Sequence, residues 1–176
     1  MDKQSLGRQL INVAELRGDF LLRSGVRSTK YFDKYQFESD PQLLHEISQH
    51  LQLMVPIGTE ILAGLELGGI PLAVMLGQLT RIPVTFVRKK AKDYGTCRLA
   101  EGPAMQGKQV VFVEDVVTSG GAVRDAAIAL RADGVSVAHV LCVIEREGQG
   151  RELLRQDGLE LFALFSQAEL DRLPRD

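Results

Sequence analysis

Val110-Val111-Phe112-Val113-Glu114-Asp115-Val116-Val117-Thr118-Ser119-Gly120-Gly121-Ala122 joins an apolar run, two adjacent carboxylates and a small-residue loop in one short stretch. The run over 109–113 has no polar alternation after Gln109, which predicts a strand buried on both faces. Glu114 and Asp115 end it, and the apolar spacing from Ala122 predicts a helix over 122–132. A buried strand that passes through a glycine loop into a helix is half of a βαβ unit, and ligands bind at the carboxyl ends of such strands. Thr118, Ser119, Gly120 and Gly121 suit a phosphate: glycine lets the backbone approach, successive N–H groups form a nest, and a helix N-terminus favours an anion. Ser119 is also a candidate N-cap. Glu114 and Asp115 would repel a phosphate placed on them, so they face something else, such as sugar hydroxyls or a bound cation.

The same alternation extends to both sides. Before this unit, the pattern predicts strands over 61–64 and 82–87 with a helix over 71–79 between them; after it, a strand over 135–144, a helix over 149–156 and a strand near 159–164. Strands rich in valine and apolar on both faces, separated by helices, predict an α/β fold with a mostly parallel central sheet and helices on both faces. Nearer the N-terminus, Leu6, Leu10, Ile11, Val13 and Ala14 predict an amphipathic helix over 3–16, with Gly18 as its stop. Two short strands over 20–22 and 30–32 flank a Ser24-Gly25 turn. Asp40-Pro41 is an N-cap followed by proline at the first helical position, and it opens a helix carrying Leu43, Leu44, Ile47, Leu51 and Leu53.

With 176 residues, 45% hydrophobic and 25% charged, the chain has the size and mixture of one globular domain over 1–176. Its 21 basic and 23 acidic residues leave a net charge of −2, so its overall field holds neither nucleic acid nor an anionic membrane. Any anion site is local. The polar start Met1-Asp2-Lys3-Gln4-Ser5 lacks a signal-peptide pattern, and the longest apolar run, Ile70 to Leu76, is too short to span a bilayer, so a cytoplasmic protein is expected. Cys142 lies in an apolar run and Cys97 in a charged segment, which argues against a disulfide, and His45, His50 and His139 show no metal-ligand spacing.

The stretch from Glu114 to Ala122 closely resembles the signature of the type I phosphoribosyltransferases, which use phosphoribosyl pyrophosphate (PRPP). The resemblance implies that Val116, Val117, Thr118, Ser119, Gly120, Gly121 and Ala122 cradle the 5-phosphate, while Glu114 and Asp115 hold the ribose hydroxyls. Neither a P-loop nor a dinucleotide fingerprint is present. Within this family, Arg88-Lys89-Lys90-Ala91-Lys92-Asp93-Tyr94-Gly95 resembles the catalytic loop of the orotate phosphoribosyltransferases, with Tyr94 where histidine is usual. The segment follows an apolar strand ending at Val87, so its cations stand at the sheet edge where pyrophosphate charge develops. Arg88, Lys89 and Lys92 are the implied PRPP contacts, and Lys92 and Asp115 the catalytic residues. In relatives this loop reaches the neighbouring subunit's site, which implies a homodimer.

Arg146, just past the strand over 135–144, could grip a planar carboxylate or a ring carbonyl edge with paired hydrogen bonds, or pair at the surface with Glu145 or Glu147; position alone leaves both open. The resemblance implies that Arg146 and Thr118 bind orotate. Residues 22–25 and 28–33 resemble the family's hood, which covers the base, so residues 1–35 contribute a hood; Arg23 stands where many longer relatives have lysine. Leu67-Gly68-Gly69-Ile70-Pro71 resembles the pyrophosphate loop, with Gly68 where some longer relatives have lysine. The implied reaction is orotate plus PRPP to orotidine 5'-monophosphate plus pyrophosphate, with magnesium carried by PRPP rather than by direct protein ligands. Two alternatives are a phosphoribosyltransferase for another base, which would not need Arg146, and a PRPP-sensing regulator, against which the Lys92 cluster and the lack of a basic DNA-binding segment speak.

Overall fold

The apolar run through Phe112 lies in the middle of a six-stranded sheet, bonded on one side to the strand that contains Gly64 and on the other to the strand that contains Cys142. The computed structural model describes residues 1–21, 25, 27–91, 98–146 and 148–174. In chain order the elements are α1 (Lys3–Ala14), β1 (Glu15–Leu21), β2 (Arg27–Phe32), α2 (Tyr35–Ser39), α3 (Pro41–Gln52), β3 (Ile61–Leu65) and α4 (Gly69–Thr80). They continue with β4 (Val84–Val87), β5 (Ala100–Glu101), β6 (Gln109–Val117), α5 (Gly121–Ala132), β7 (Ser136–Glu145), α6 (Gly150–Gln156), β8 (Glu160–Ser166) and α7 (Gln167–Asp171). The main sheet runs β5-β4-β3-β6-β7-β8, parallel throughout except for β5, which pairs antiparallel with β4. β1 and β2 form a separate antiparallel pair. The expected α/β class and mostly parallel sheet are therefore present.

Both faces of the sheet are covered, which is why β6 shows no polar alternation. Val111 and Val113 point into one apolar cluster with Leu6, Leu10, Ile47, Leu62, Leu72 and Leu76, under α1, α3 and α4. Val110 and Phe112 point into another with Val123, Ala127, Leu130, Cys142 and Leu154, under α5 and α6. Cys142 is thus a core residue, and burial pushes its thiol pKa up. Among the described residues no helix is long and apolar enough to cross a membrane.

Several boundaries differ from expectation, each for a local reason. The first helix ends at Ala14, where its apolar period ends, and Gly18 lies inside β1 rather than stopping a helix. β1 and β2 are longer than the predicted strands because they pair from Glu15↔Phe32 to Leu21↔Arg27, a register that the charged, exposed middle of β1 conceals. Asp40 caps α3 as predicted, accepting from the N–H groups of Gln42 at 2.9 Å and Leu43 at 3.0 Å. Leu53, expected on the buried face, is the C-cap and 80% exposed. β4 starts at Val84 because Pro83 has no N–H to give the ladder, while its carbonyl accepts from Leu62 at 3.0 Å. β6 continues past the predicted end at 113 to Val117, since Val116 pairs with Ile144 and Val117 with Glu145. The two carboxylates therefore lie within a strand and not after one.

Candidate active site

β3, β4, β6 and β7 run parallel, so the segments that follow them leave the sheet at one edge. That edge gathers the 66–69 turn, Arg88 and Lys89, the 118–121 loop and Arg146. The peptide between Glu66 and Leu67 is cis. Gly69 is fixed by close approach, because a Cβ there would lie 2.0 Å from the Val113 carbonyl oxygen. Gly68 is more confined still: a Cβ would lie 1.6 Å from Asp115 Oδ2 and 2.7 Å from Glu38 Oε1. No side chain fits at position 68 with Asp115 in this place.

The two sequence-predicted carboxylates are buried, Asp115 completely. Val116 N–H donates to Asp115 Oδ1 at 2.5 Å, and Asp115 N–H donates to Glu114 Oε1 at 3.0 Å. The cation facing Asp115 is one of the chain's own, Lys34, whose Nζ stands 2.5 Å from Oδ2. Glu38, on α2 and only 7% exposed, completes an acidic cluster. Burial, and then the hydrogen bond to and charge of Asp115, push Glu38 up to about 9; burial and Asp115 do the same to Glu114. Burial also works against the charge of Asp115, but hydrogen bonds from Glu114, Glu38 and Lys34 outweigh it and hold its pKa below the usual carboxylate value. At neutral pH the cluster holds one ionised carboxylate against one ammonium, with protons on both glutamates.

The 118–121 loop leads straight from β6 into α5. Gly120, not Ser119, is the N-cap; its φ of 73° is left-handed, and no side chain caps the helix. Ser119 Oγ accepts from Gly121 N–H at the long distance of 3.5 Å. The first-turn N–H groups of α5 are thus left for an incoming acceptor, beside exposed Thr118, Ser119 and Ala122. Val117 is buried in the core on one face of the sheet and Val116 packs against the core on the other, so both offer the site backbone groups.

Arg88 N–H donates to the Leu99 carbonyl at 2.9 Å, which closes the base of the basic loop, and its guanidinium lies 3.8 Å from Glu101 on β5. Lys89 beside it is exposed. An open cleft of about 600 Å³ runs from Arg88 and Lys89 past Glu101 and Phe86 to Leu67 and Ile70. Lys92, Tyr94 and Gly95, like Arg23 and Ser24, lie outside the described residues. Arg146 N–H donates to the Val117 carbonyl at 2.8 Å, which puts it beside Thr118. Its neighbour Glu145 is taken by Arg151, at 2.8 and 2.5 Å, and leaves the Arg146 guanidinium to other partners.

Nothing in the sequence pattern points to Lys34 or Glu38. Both reach Asp115 only through tertiary packing, although Lys34 directly follows the 28–33 segment that resembles the hood. Among the described residues no group of three or more His, Cys, Asp or Glu side chains is arranged to hold a metal ion.

The phosphoribosyl transferase domain family matches residues 41–164. An orotate phosphoribosyltransferase from a Nocardioides species is 51% identical over 167 residues, 95% of this chain and 93% of that protein. One from Methanocella arvoryzae is 43% identical over 153 residues, 87% of each. The crystal structure of the Mycobacterium tuberculosis orotate phosphoribosyltransferase with inorganic phosphate has the same fold, with a TM-score of 0.83 over 96% of this chain and 98% of that one at 23% identity.

Proposed function

This chain belongs to the phosphoribosyltransferase family, and we propose that within it the chain is an orotate phosphoribosyltransferase, transferring the phosphoribosyl group of PRPP to orotate in pyrimidine nucleotide synthesis. One observation carries the assignment to this site: the uncapped start of α5, the Glu114–Asp115 pair near the end of β6, the base of the basic loop and Arg146 lie at a single edge of the sheet. Relatives named for this activity at 51% and 43% identity support the choice of base.

In this mechanism residues 118–122 bind the 5-phosphate through backbone N–H groups and hydroxyls. Asp115 and Glu114 accept the ribose hydroxyls, and Arg146 with Thr118 orients the orotate carboxylate so that ring N1 faces ribose C1. As the C1–oxygen bond breaks and the N1–C1 bond forms, charge builds on the departing pyrophosphate, where Arg88, Lys89 and Lys92 neutralise it. Lys92 is the residue on which turnover depends most. The residues present fit a magnesium ion that arrives on PRPP, since buried acids already engaged by backbone and Lys34 suit outer contacts better than a dedicated cage. Bound there, magnesium would supply further charge neutralisation to the leaving group.

The working unit is a homodimer, in the cytoplasm, with Lys92 serving the partner's site. α4 has no polar side chain before Gln78, and its Ile70 lines the same cleft as exposed Leu67 and Phe86, with exposed Val74 one turn further on. A second copy covering that face accounts for its composition. The chain acts as a single domain over 1–176, with residues 1–35 as the hood.

The test is a comparison of initial rates with orotate, uracil and adenine, each with PRPP and magnesium. Turnover of orotate far above the other two supports the assignment; preference for adenine or uracil replaces it with another base, and PRPP binding without any turnover points to a sensor.

A further inference from the structure

We infer that Lys34 is a positioning residue for PRPP, acting through Asp115, an inference that rests on Asp115 accepting a ribose hydroxyl. Asp115 is wholly buried and sits between two other carboxyl groups, Glu114 on its own strand and Glu38 on α2. A carboxylate in such a place carries a desolvation cost that hydrogen bonds and a cation held against it must offset. Lys34 Nζ is that cation, 2.5 Å from Oδ2, and the Lys34 side chain is itself two-thirds buried. Asp33 and Tyr35, beside Lys34 in the chain, stand further out in the same charged cluster.

The geometry leaves Asp115 little other room. Oδ1 is held by Val116 N–H, and Oδ2 occupies the place that a Cβ on Gly68 would fill. Glu38 Oε1, buried beside Asp115, closes the same notch. Position 68 therefore has to be glycine for Lys34 to serve Asp115. The ammonium comes from the segment joining the hood strand β2 to α2. Because Lys34 lies two residues past the end of β2, the charge state of Asp115 depends on the hood being docked.

Without Lys34, Asp115 keeps hydrogen bonds but has no counter-charge in a wholly buried place, so its charged form is disfavoured and it loses strength as an acceptor for a ribose hydroxyl. An asparagine at 115 needs no counter-charge, and Lys34 then has nothing to act on. The experiment is a double-mutant cycle of Lys34→Met and Asp115→Asn, with PRPP binding to the full-length chain measured by calorimetry at pH 7.5 and magnesium held constant. Lys34→Met alone should weaken PRPP tenfold or more while the KM for orotate changes less than twofold. Added to Asp115→Asn, it should change PRPP affinity less than twofold.

Equal losses in the two backgrounds would overturn the inference and make Lys34 a direct contact with PRPP. If Lys34→Met alone fails to fold, Asp115→Asn and the double variant, neither of which leaves a wholly buried carboxylate unpaired, decide the matter between them: equal affinity supports the inference, and a tenfold difference overturns it. A parent chain that binds PRPP but does not turn over orotate overturns the choice of base and leaves this inference standing. A parent chain that binds no PRPP overturns both.

Discussion

Replacing Gly69 by alanine adds one methyl group at the tightest backbone contact beside the candidate site. The new Cβ would stand 2.0 Å from the Val113 carbonyl oxygen, where real Cβ contacts essentially never fall below 3.0 Å, so α4 and β6 must separate by at least 1.0 Å, the difference between the two. Neither can do so cheaply. β6 is hydrogen-bonded to β3 on one side and β7 on the other, and α4 is anchored by fully buried Leu72, Ala73 and Leu76. Overpacking of this kind costs about 1–3 kcal/mol, and a backbone-to-backbone clash belongs at the upper end. About 2–3 kcal/mol corresponds to a fall in melting temperature of about 4–12 °C for a domain of this size. Gly121→Ala is the matched control: its Cβ meets only Ser119 Oγ, at an ordinary 3.6 Å, in the first turn of α5. Alanine there should leave stability unchanged or raise it by up to about 1 kcal/mol. Thermal unfolding followed by circular dichroism reads both. Gly69→Ala melting within about 2 °C of the parent, or Gly121→Ala falling as far as Gly69→Ala, would refute the packing account.

Arg146→Ala removes a charge-assisted pair of hydrogen bonds, worth about 1.5–3 kcal/mol, and should raise the KM for orotate by about 10- to 150-fold while PRPP affinity holds; steady-state kinetics with each substrate varied would show it. Lys92→Ala should lower kcat by about 10²- to 10³-fold with PRPP binding largely retained, as calorimetry and initial rates together would reveal. Glu38→Gln keeps the shape of a side chain that burial holds protonated up to about pH 9. Because the folded state keeps this proton above the unfolded value of 4.5, Glu38 stabilises the fold fully below pH 4.5 and loses that contribution as pH rises through 9. Glu38→Gln should therefore match the parent in urea denaturation near pH 5 and become the more stable of the two by pH 8.5; a difference independent of pH would contradict the protonated state.

What the sequence made legible was local. The Asp40-Pro41 start of α3 and the strand, glycine loop and helix around Phe112 are encoded in neighbouring residues, and they appear almost where the pattern puts them. β1 was half hidden because its centre is charged and exposed, so strand pairing and not apolar alternation holds it in place. The acidic pair was visible as chemistry, but its surroundings were not. An acid at the end of a strand reads as facing solvent or ligand, whereas Asp115 lies in a notch made by an absent Cβ at Gly68 and filled from Lys34 and Glu38. Ser119 has the composition of an N-cap, yet the left-handed backbone that the loop needs falls on Gly120 and moves the cap by one residue. Arg146 was open to pairing with Glu145 until Arg151, from the next helix, engaged that carboxylate.

The most direct test of the central claim is the stoichiometric conversion of orotate. With purified chain, PRPP and magnesium, the ultraviolet absorbance of orotate should fall and stop when PRPP is exhausted, with one orotidine 5'-monophosphate and one pyrophosphate formed per orotate lost. Unchanged absorbance from folded protein that binds PRPP would contradict it.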